Sequence, residues 1–399
     1  MGEVIMKSPK FFSALEWKSS LQEGDKGWKK NMTNLMIHLE NVPGIGQQLK
    51  FNELTQDIEW NGKPFQDPSD TVAIRMMLDD MGFEPAKGDL FPAIVAHANK
   101  NKYHPVRDYL EGVKWDRIPR IDTWLIDLLG ADDTPFTRIV SRKALIAAVA
   151  RAYSPGCKVD TVLILEGPQG VKKSSAIEAL FSAPFFSDNV DLFRDHKQMV
   201  MSITGSWCVE LAEFVSVLRR DPDHVKGLLS VKSDKVVLPY AKVRSTHPRQ
   251  CVFWATYNPD GDEGYLEDMT GNRRYWPVKV THVDLDKVAL KRDQLWAEAK
   301  AAFFKDEPWW LNDDEAVFAS AEVTERASSD AWETILEQRI DGLNHIPYTE
   351  LYSILNLTPD RINTDTNRRI RRAMRGLGYS NEPRKIDGKM KRVWVQVRK

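Results

Sequence analysis

The stretch Leu163-Ile-Leu-Glu-Gly-Pro-Gln-Gly-Val-Lys-Lys-Ser-Ser175 decides the fold class of this chain of 399 residues. An apolar strand runs into a glycine turn and then into a helical segment, which is the GxxxxGK[ST] pattern of a phosphate-binding loop, or P-loop. Backbone N–H groups at a helix N-terminus attract negative charge, so this order of elements suits a triphosphate. We predict an ATP site that comprises Gly167, Pro168, Gln169, Gly170, Val171, Lys172, Lys173, Ser174 and Ser175.

Three residues of this loop decide its chemistry. Lys173 is expected to reach the β- and γ-phosphates, and the Ser174 hydroxyl to bind Mg²⁺. Lys172 departs from the pattern because it stands where the second glycine belongs. A residue that enters a helix can adopt an ordinary negative φ, so we expect the loop to keep its shape. The alternative is a coincidental glycine turn or a degenerate loop.

Two acids follow the loop at the end of a later apolar stretch. Ser206-Trp-Cys-Val-Glu-Leu-Ala-Glu213 contains Glu210 and Glu213, which lie 37 and 40 residues beyond Lys173. An acid at the carboxyl end of a neighbouring strand can hold the water shell of Mg²⁺ or deprotonate the attacking water. We assign Mg²⁺ binding and water activation to Glu210 and a supporting role to Glu213. The alternative is a solvated acid at a helix N-terminus.

An amide and two arginines complete the predicted catalytic group. Asn258 ends the stretch Cys251-Val-Phe-Trp-Ala-Thr-Tyr-Asn258, where its side chain can bond the γ-phosphate or the attacking water. Arg273 and Arg274 follow in Thr270-Gly-Asn-Arg-Arg-Tyr-Trp-Pro277. Guanidinium groups stabilise charge on a transferred phosphoryl group, and in ring ATPases they commonly come from the neighbouring subunit. Structural ion pairing is the alternative for both arginines.

The chain divides into three regions with different sequence patterns. Short apolar strands that alternate with helices predict an α/β domain with a largely parallel sheet over residues 136–335. Helical periodicity predicts a mainly helical accessory domain over residues 1–135. Residues 340–399 combine short helices with a basic hairpin-like end, the pattern of a winged helix-turn-helix domain.

Charge is distributed unevenly although the net charge of the chain is only −1. Residues 361–399 contain thirteen Lys and Arg against three Asp and Glu, a net charge of +10, which leaves −11 on the remainder. A basic module joined to an acidic body indicates contact with nucleic acid. Helical spacing places a row of cations on one helix surface, suited to duplex or forked DNA: Arg368, Arg371, Arg372 and Arg375.

Composition excludes several classes of protein. The sequence contains no uninterrupted apolar window of the length that a transmembrane helix needs, so we predict no membrane partner. The first residues do not have the pattern of a secretory signal. Three cysteines without CxxC spacing argue against a disulfide framework or a zinc knuckle. We therefore expect a protein of the reducing cytoplasm.

Together these motifs resemble the virulence-associated E family of phage and mobile-element proteins, which is grouped with superfamily 3 helicases. The resemblance covers nearly the whole chain. Its upstream signature is similar to His104-Pro-Val-Arg-Asp-Tyr-Leu-Glu-Gly-Val-Lys-Trp-Asp-Arg-Ile-Pro-Arg-Ile-Asp-Thr-Trp-Leu125 and Ala150-Arg-Ala-Tyr-Ser-Pro-Gly156. Its downstream pattern is similar to the acidic, amide and arginine motifs above and to Gln294-Leu-Trp-Ala-Glu-Ala299.

The resemblance implies an AAA+-like ATPase of the superfamily 3 helicase type. Such a protein is expected to be an ATP-driven DNA helicase that assembles as a ring, a hexamer, in the replication of a phage, prophage or satellite element. No primase motif is visible, so a separate primase or polymerase is an expected partner. The resemblance also implies a hairpin facing the central channel, whose cations would grip single-stranded DNA: Lys232, Lys235, Lys242 and Arg244.

Two other functions remain open from the sequence. One is a nucleotide-binding replication initiator or DNA-binding scaffold that hydrolyses little ATP. The replacement of the second P-loop glycine by Lys172 favours this alternative. The other is a P-loop phosphotransferase that acts on a small molecule. The long basic tail and the absence of an evident lid disfavour the phosphotransferase.

Overall fold

A computed structural model describes residues 16–25, 27–212, 214–237, 245–259, 274–325, 331–340, 343, 345–386 and 389–396. Contacts divide these residues into two compact units. The larger unit contains the described residues up to Asn258 and those from Arg274 to Ala319. The smaller unit contains Pro259 and the described residues from Ser320 onward, so the boundary falls within the helix Asp313–Glu325. No helix in the described ranges has both the length and the apolar character needed to cross a membrane.

The part of the larger unit before residue 130 mixes helices with short strands. Its helices lie where the sequence periodicity predicts them, but a four-stranded sheet in the order β5-β4-β3-β6 accompanies them. These strands have only two to four residues, too few for an alternating pattern to show. The elements are β1 (Glu23–Gly24), β2 (Gly27–Trp28), α1 (Met32–Asn41), β3 (Leu49–Asn52), β4 (Asp57–Trp60), β5 (Lys63–Pro64), α2 (Ser69–Asp80), α3 (Leu90–Lys100), β6 (Lys102–Tyr103), α4 (Pro105–Gly112) and α5 (Trp124–Leu129).

The following part of the larger unit is built on a five-stranded parallel sheet in the order β13-β7-β12-β9-β8. This confirms the prediction of an α/β fold with a parallel sheet. All five residues of β7 are buried, as expected for a central parallel strand covered on both faces. The elements are α6 (Pro135–Tyr153), β7 (Val162–Glu166), α7 (Lys173–Phe181), β8 (Phe186–Ser187), α8 (His196–Ile203), β9 (Cys208–Leu211), α9 (Phe214–Arg220), α10 (Pro222–Ser230), β10 (Ser233–Val236), β11 (Ser245–Pro248), β12 (Val252–Tyr257), β13 (Tyr275–Lys279), α11 (Leu285–Phe303) and α12 (Asp313–Glu325).

The hydrophobic core around this sheet begins upstream of residue 136. Val106 on α4 and Trp124 on α5 share one buried cluster with Trp254 on β12 and Trp296 on α11. A separate cluster joins α1, α2 and α3. The predicted division at residues 135 and 136 therefore separates helices that contribute to one core.

A group of buried aromatic rings fixes α7 against the sheet. The ring of Phe181, at the end of α7, lies 5.0 Å from Trp207, 4.9 Å from Trp254 and 5.0 Å from Trp296 between centroids, each in an edge-to-face arrangement. The Trp296 indole also donates to the Leu180 carbonyl at 2.8 Å. Edge-to-face aromatic pairs add to the stability that burial gives. The helix that follows the predicted phosphate-binding loop is thus firmly positioned.

The smaller unit combines three helices with a three-stranded antiparallel sheet in the order β14-β16-β15 in its described part. Leu336, Ile346, Ile370 and Trp394 lie at the centre of its own core. Helices and a hairpin occur where the sequence predicts them. The elements are α13 (Ala331–Ile340), β14 (His345–Pro347), α14 (Tyr348–Ile354), α15 (Thr364–Gly376), β15 (Tyr379–Ile386) and β16 (Lys389–Gln396).

Candidate functional site

The carboxyl ends of three parallel strands meet at one edge of the sheet. Tyr257 at the end of β12 pairs with Glu166 at the end of β7, and Ala255 pairs with Leu211 at the end of β9. Ligands of open α/β sheets bind in the crevice outside these ends. The residues that follow each strand therefore converge, although they are far apart in the sequence.

The glycine that opens the loop is required by a close approach of two backbone segments. Gly167 donates its N–H to the Tyr257 carbonyl at 3.1 Å. A Cβ atom at this position would lie 2.4 Å from the Val280 carbonyl oxygen, well inside contact distance. Any other residue would force the loop away from β13, so the loop geometry depends on this glycine.

Lys172 adopts φ 66° and ψ 37°, the left-handed conformation, immediately before α7. The expectation of an ordinary negative φ is therefore wrong. A side chain in this region places its Cβ close to the backbone carbonyl, at a cost of about 1–2 kcal/mol. The loop keeps the backbone shape that glycine would give it, and the exposed Lys172 carries the strain.

Lys173 is buried and donates hydrogen bonds to three oxygen atoms. Its Nζ donates to the Gly167 carbonyl at 2.7 Å, to the Pro168 carbonyl at 3.0 Å and to Asn258 Oδ1 at 2.7 Å. Burial lowers the pKa of the ammonium, and the nearby Glu210 carboxylate acts in the opposite direction. The structure thus brings the predicted lysine and the predicted amide into direct contact.

Glu210 is almost completely buried, and its two oxygens have different surroundings. Oε1 accepts hydrogen bonds from Ser174 Oγ at 2.7 Å and from Thr256 Oγ1 at 2.6 Å. Oε2 is buried and has no hydrogen-bond partner among the described residues. Buried carboxylate oxygens almost always have a partner, so an unpaired one indicates a place for a ligand, a water or an ion.

Thr256 is a site residue that the sequence analysis did not identify. Its hydroxyl fixes the orientation of Glu210 together with Ser174. A sequence signal existed, because Thr256 lies two residues before Asn258 and alternate residues of a strand point to the same side.

Arg274 lies at the opposite edge of the sheet from Lys173. It precedes β13, whose first residue Tyr275 pairs with Val162 at the start of β7. Its Nε is 3.4 Å from the Asp160 carboxylate, and the side chain is mostly covered. Within its own chain Arg274 thus forms a structural ion pair, the role named above as the alternative to catalysis. Arg273 and Glu213 lie outside the described residues.

The predicted hairpin is present as the antiparallel pair β10 and β11. Lys232 and Lys235 are exposed on it, whereas Lys242 and Arg244 lie outside the described residues. Arg249 at the base of the hairpin is buried and holds Asp234 through bonds of 2.7 and 3.1 Å. Burial would raise the pKa of Asp234, but hydrogen bonds and charge interactions with Arg249 and His196 together lower that pKa.

The basic row on α15 is described only in part. Arg371 is exposed and donates through Nε to the Asn367 carbonyl at 3.1 Å. Arg368, Arg372 and Arg375 occupy positions on the same helix. Neighbouring Arg369 stacks on Trp332, with its guanidinium carbon 4.1 Å from the ring centroid. In the described ranges, no group of three or more His, Cys, Asp or Glu is arranged to hold a metal ion.

Comparisons with known proteins identify one family and structures of similar fold. The family model described as the virulence-associated protein E-like domain matches residues 110–328. The apo structure of the NrS-1 C-terminal region has a TM-score of 0.50 at 12% identity and covers 88% of this chain and 96% of its own. A second form of that region has a TM-score of 0.47 at 13% identity, with the same shares covered. A search of curated proteins finds no match. At this identity the structural similarity concerns the fold alone.

Proposed function

The chain belongs to the virulence-associated protein E-like family, and on this premise we propose that it is an ATP-driven DNA helicase or translocase. It would act in the replication of a phage, prophage or satellite mobile element. The observation that supports this best is the convergence of Lys173, Ser174, Glu210 and Asn258 at one sheet edge. These are the groups that ATP hydrolysis by a P-loop protein needs.

The residues of this edge suit ATP and Mg²⁺. The strained turn at Lys172 presents the N-terminus of α7, where backbone N–H groups attract phosphate. Ser174 would ligate Mg²⁺ and Glu210 would hold the waters of the ion, which when bound supplies positive charge to the phosphoryl oxygens. Mg²⁺ commonly keeps several waters and takes few protein ligands, so one hydroxyl with a carboxylate behind its water shell is adequate.

The protein groups then have distinct roles in hydrolysis. Lys173 would exchange its loop carbonyls for phosphate oxygens, while Asn258 orients the attacking water through its neutral amide. Glu210 would accept the proton of that water at Oε2, since Oε1 is engaged by Ser174 and Thr256.

Substitution of Thr256 tests the proposal that Oε1 of Glu210 holds the carboxylate in place while Oε2 acts as the base. We expect Thr256→Val to lower kcat for ATP hydrolysis by roughly ten- to a hundredfold, because a hydrogen bond to a charged group contributes about 1.5–3 kcal/mol. KM for ATP should change little, since Thr256 bonds Glu210 and is not a predicted phosphate ligand. Steady-state kinetics would measure both, with Thr256→Ser as the control that retains the hydroxyl. An unchanged kcat in the valine variant would refute the positioning role.

We further propose that the arginines act between subunits of a hexameric ring. Arg274 lies at the sheet edge opposite its own Lys173, so it or Arg273 would reach the site of a neighbouring copy. The basic hairpin would grip a single strand in the channel. The smaller unit, with its hairpin and the basic helix α15, would act as a winged-helix-like domain on duplex or forked DNA.

A combined measurement of turnover and assembly tests this function. We expect ATP hydrolysis that requires Mg²⁺ and rises at least several-fold with single-stranded DNA, since the strand engages the hairpin. Light scattering with a non-hydrolysable ATP analogue, Mg²⁺ and DNA should give the mass of a ring. A forked duplex would report unwinding, with an added primase or polymerase as a further component. A monomer under all conditions would contradict the ring mechanism.

One observation favours a second function, a replication initiator that binds nucleotide with little hydrolysis. The left-handed Lys172 strains the loop, and its exposed side chain would add a cation beside the phosphates of a bound nucleotide. Tight ATP binding without DNA-stimulated turnover would identify this initiator, whereas DNA-stimulated turnover would exclude it. Transfer of phosphate to a small acceptor would instead indicate a phosphotransferase.

A further inference from the structure

Five aromatic side chains form a continuous, partly exposed surface at the ends of α6 and α11. We call it the aromatic ledge: Tyr153, Phe303, Phe304, Trp309 and Trp310. Tyr153 contacts Phe303 and Phe304 with centroid separations of 5.8 and 5.0 Å. Trp309 contacts Phe303 at 6.0 Å and Trp310 at 5.2 Å. Phe304 is 60% exposed and Trp310 is 55% exposed, so the ledge presents large apolar area to solvent.

The ledge is joined to Arg274 by a short series of contacts. The Trp309 indole donates to the Lys158 carbonyl at 2.9 Å. The Lys158 ammonium lies 3.6 Å from Asp160, and Asp160 lies 3.4 Å from Arg274. Two residues along a chain span at most about 7 Å. The Trp309 end of the ledge therefore lies close to Arg274, whose side chain is 19% exposed.

We propose that the aromatic ledge packs against a second copy of this chain, as part of the surface that carries the arginine to the neighbour's phosphate site. The inference rests on the proposed function, since it concerns the contact that would complete that site. A stable interface covers about 800 Å² per partner, a patch of roughly 16 Å radius. A patch of this size around Arg274 includes Trp309.

The chemistry of the ledge favours protein over nucleic acid as its occupant. The exposed charges beside it are balanced, with Lys158 and Lys305 against Asp306 and Glu111. A surface that binds single-stranded DNA requires an excess of cations along the backbone. Protein interfaces are instead enriched in tryptophan, tyrosine, phenylalanine and arginine near their centre. The ledge, with Phe304 and Trp310 exposed and Trp309 close to Arg274, has that composition.

Charged substitutions on the ledge test the proposal directly. Phe304→Asp and Trp310→Asp should each leave a folded monomer, because both side chains are more than half exposed. Light scattering with a non-hydrolysable ATP analogue and Mg²⁺ should then give the monomer mass at concentrations where the wild type assembles. ATP turnover should fall at least a hundredfold, since an arginine supplied in trans is worth about 10³–10⁵ in rate. Binding of a fluorescent ATP analogue to the monomer should persist.

Met76→Asp is the matched control. Met76 is 63% exposed on α2, which belongs to a separate hydrophobic core. This control should assemble and hydrolyse ATP as the wild type does. Wild-type mass and turnover in both ledge variants would overturn the interface and leave the ATPase standing. Reduced single-stranded DNA binding with unchanged mass would also overturn it and identify DNA as the occupant. A wild type that never assembles would remove both the ring and the interface.

Discussion

Replacing Lys173 by alanine is expected to reduce ATP turnover by at least about a hundredfold and to weaken ATP binding. The ammonium is the buried cation that joins the loop carbonyls to Asn258, and it is the group expected to face the phosphates. Removal of one preorganised donor to developing negative charge costs about 10²–10³ in rate. The measurement is steady-state hydrolysis with and without single-stranded DNA, together with titration of a fluorescent ATP analogue.

The control for this prediction is Lys197→Ala, which removes an exposed lysine from α8. Its turnover should equal that of the wild type, so that loss of charge alone is not the cause. Circular dichroism should show that Lys173→Ala keeps its helix content, because Phe181 continues to fix α7. Hydrolysis at the wild-type rate in Lys173→Ala would place the catalytic site elsewhere.

Replacing Glu210 by glutamine is expected to separate ATP binding from hydrolysis. The amide oxygen can still accept from Ser174 and Thr256, so the local packing is preserved. The amide cannot take a proton from water, and general-base catalysis contributes about 10²–10⁴ in rate. Turnover should fall by that factor, whereas ATP affinity should be equal or higher because a buried negative charge near the phosphates is removed.

Single-turnover hydrolysis and equilibrium binding measure these two quantities separately. Glu178→Gln is the control, because it makes the same chemical change at an exposed position of α7. Loss of ATP binding in Glu210→Gln would show that the carboxylate serves the structure of the loop. Unchanged hydrolysis would assign the role of base to another residue.

Local sequence chemistry predicted the elements of the fold well where they are long. The helices at α6 and α11 and the strands β7 and β12 have enough residues for their periodicity to be visible. The sequence does not predict the upstream sheet, because strands of two to four residues leave no pattern. The φ predicted for Lys172 is also wrong, because entry into a helix favours an ordinary φ whereas the loop retains the conformation of glycine.

The strand, the glycine turn and the helix from Leu163 to Ser175 follow from local sequence, since each depends on neighbouring residues. Contacts between distant groups are instead set by the tertiary structure. Ser174 and Glu210 are 36 positions apart in the sequence and Lys173 and Asn258 are 85 apart, yet each pair is in contact. Thr256, which the sequence did not predict, also contacts Glu210. The tertiary structure likewise places Arg274 at Asp160, away from its own Lys173. Such contacts depend on strand order and register, which arise from burial summed over the whole sheet rather than from local sequence.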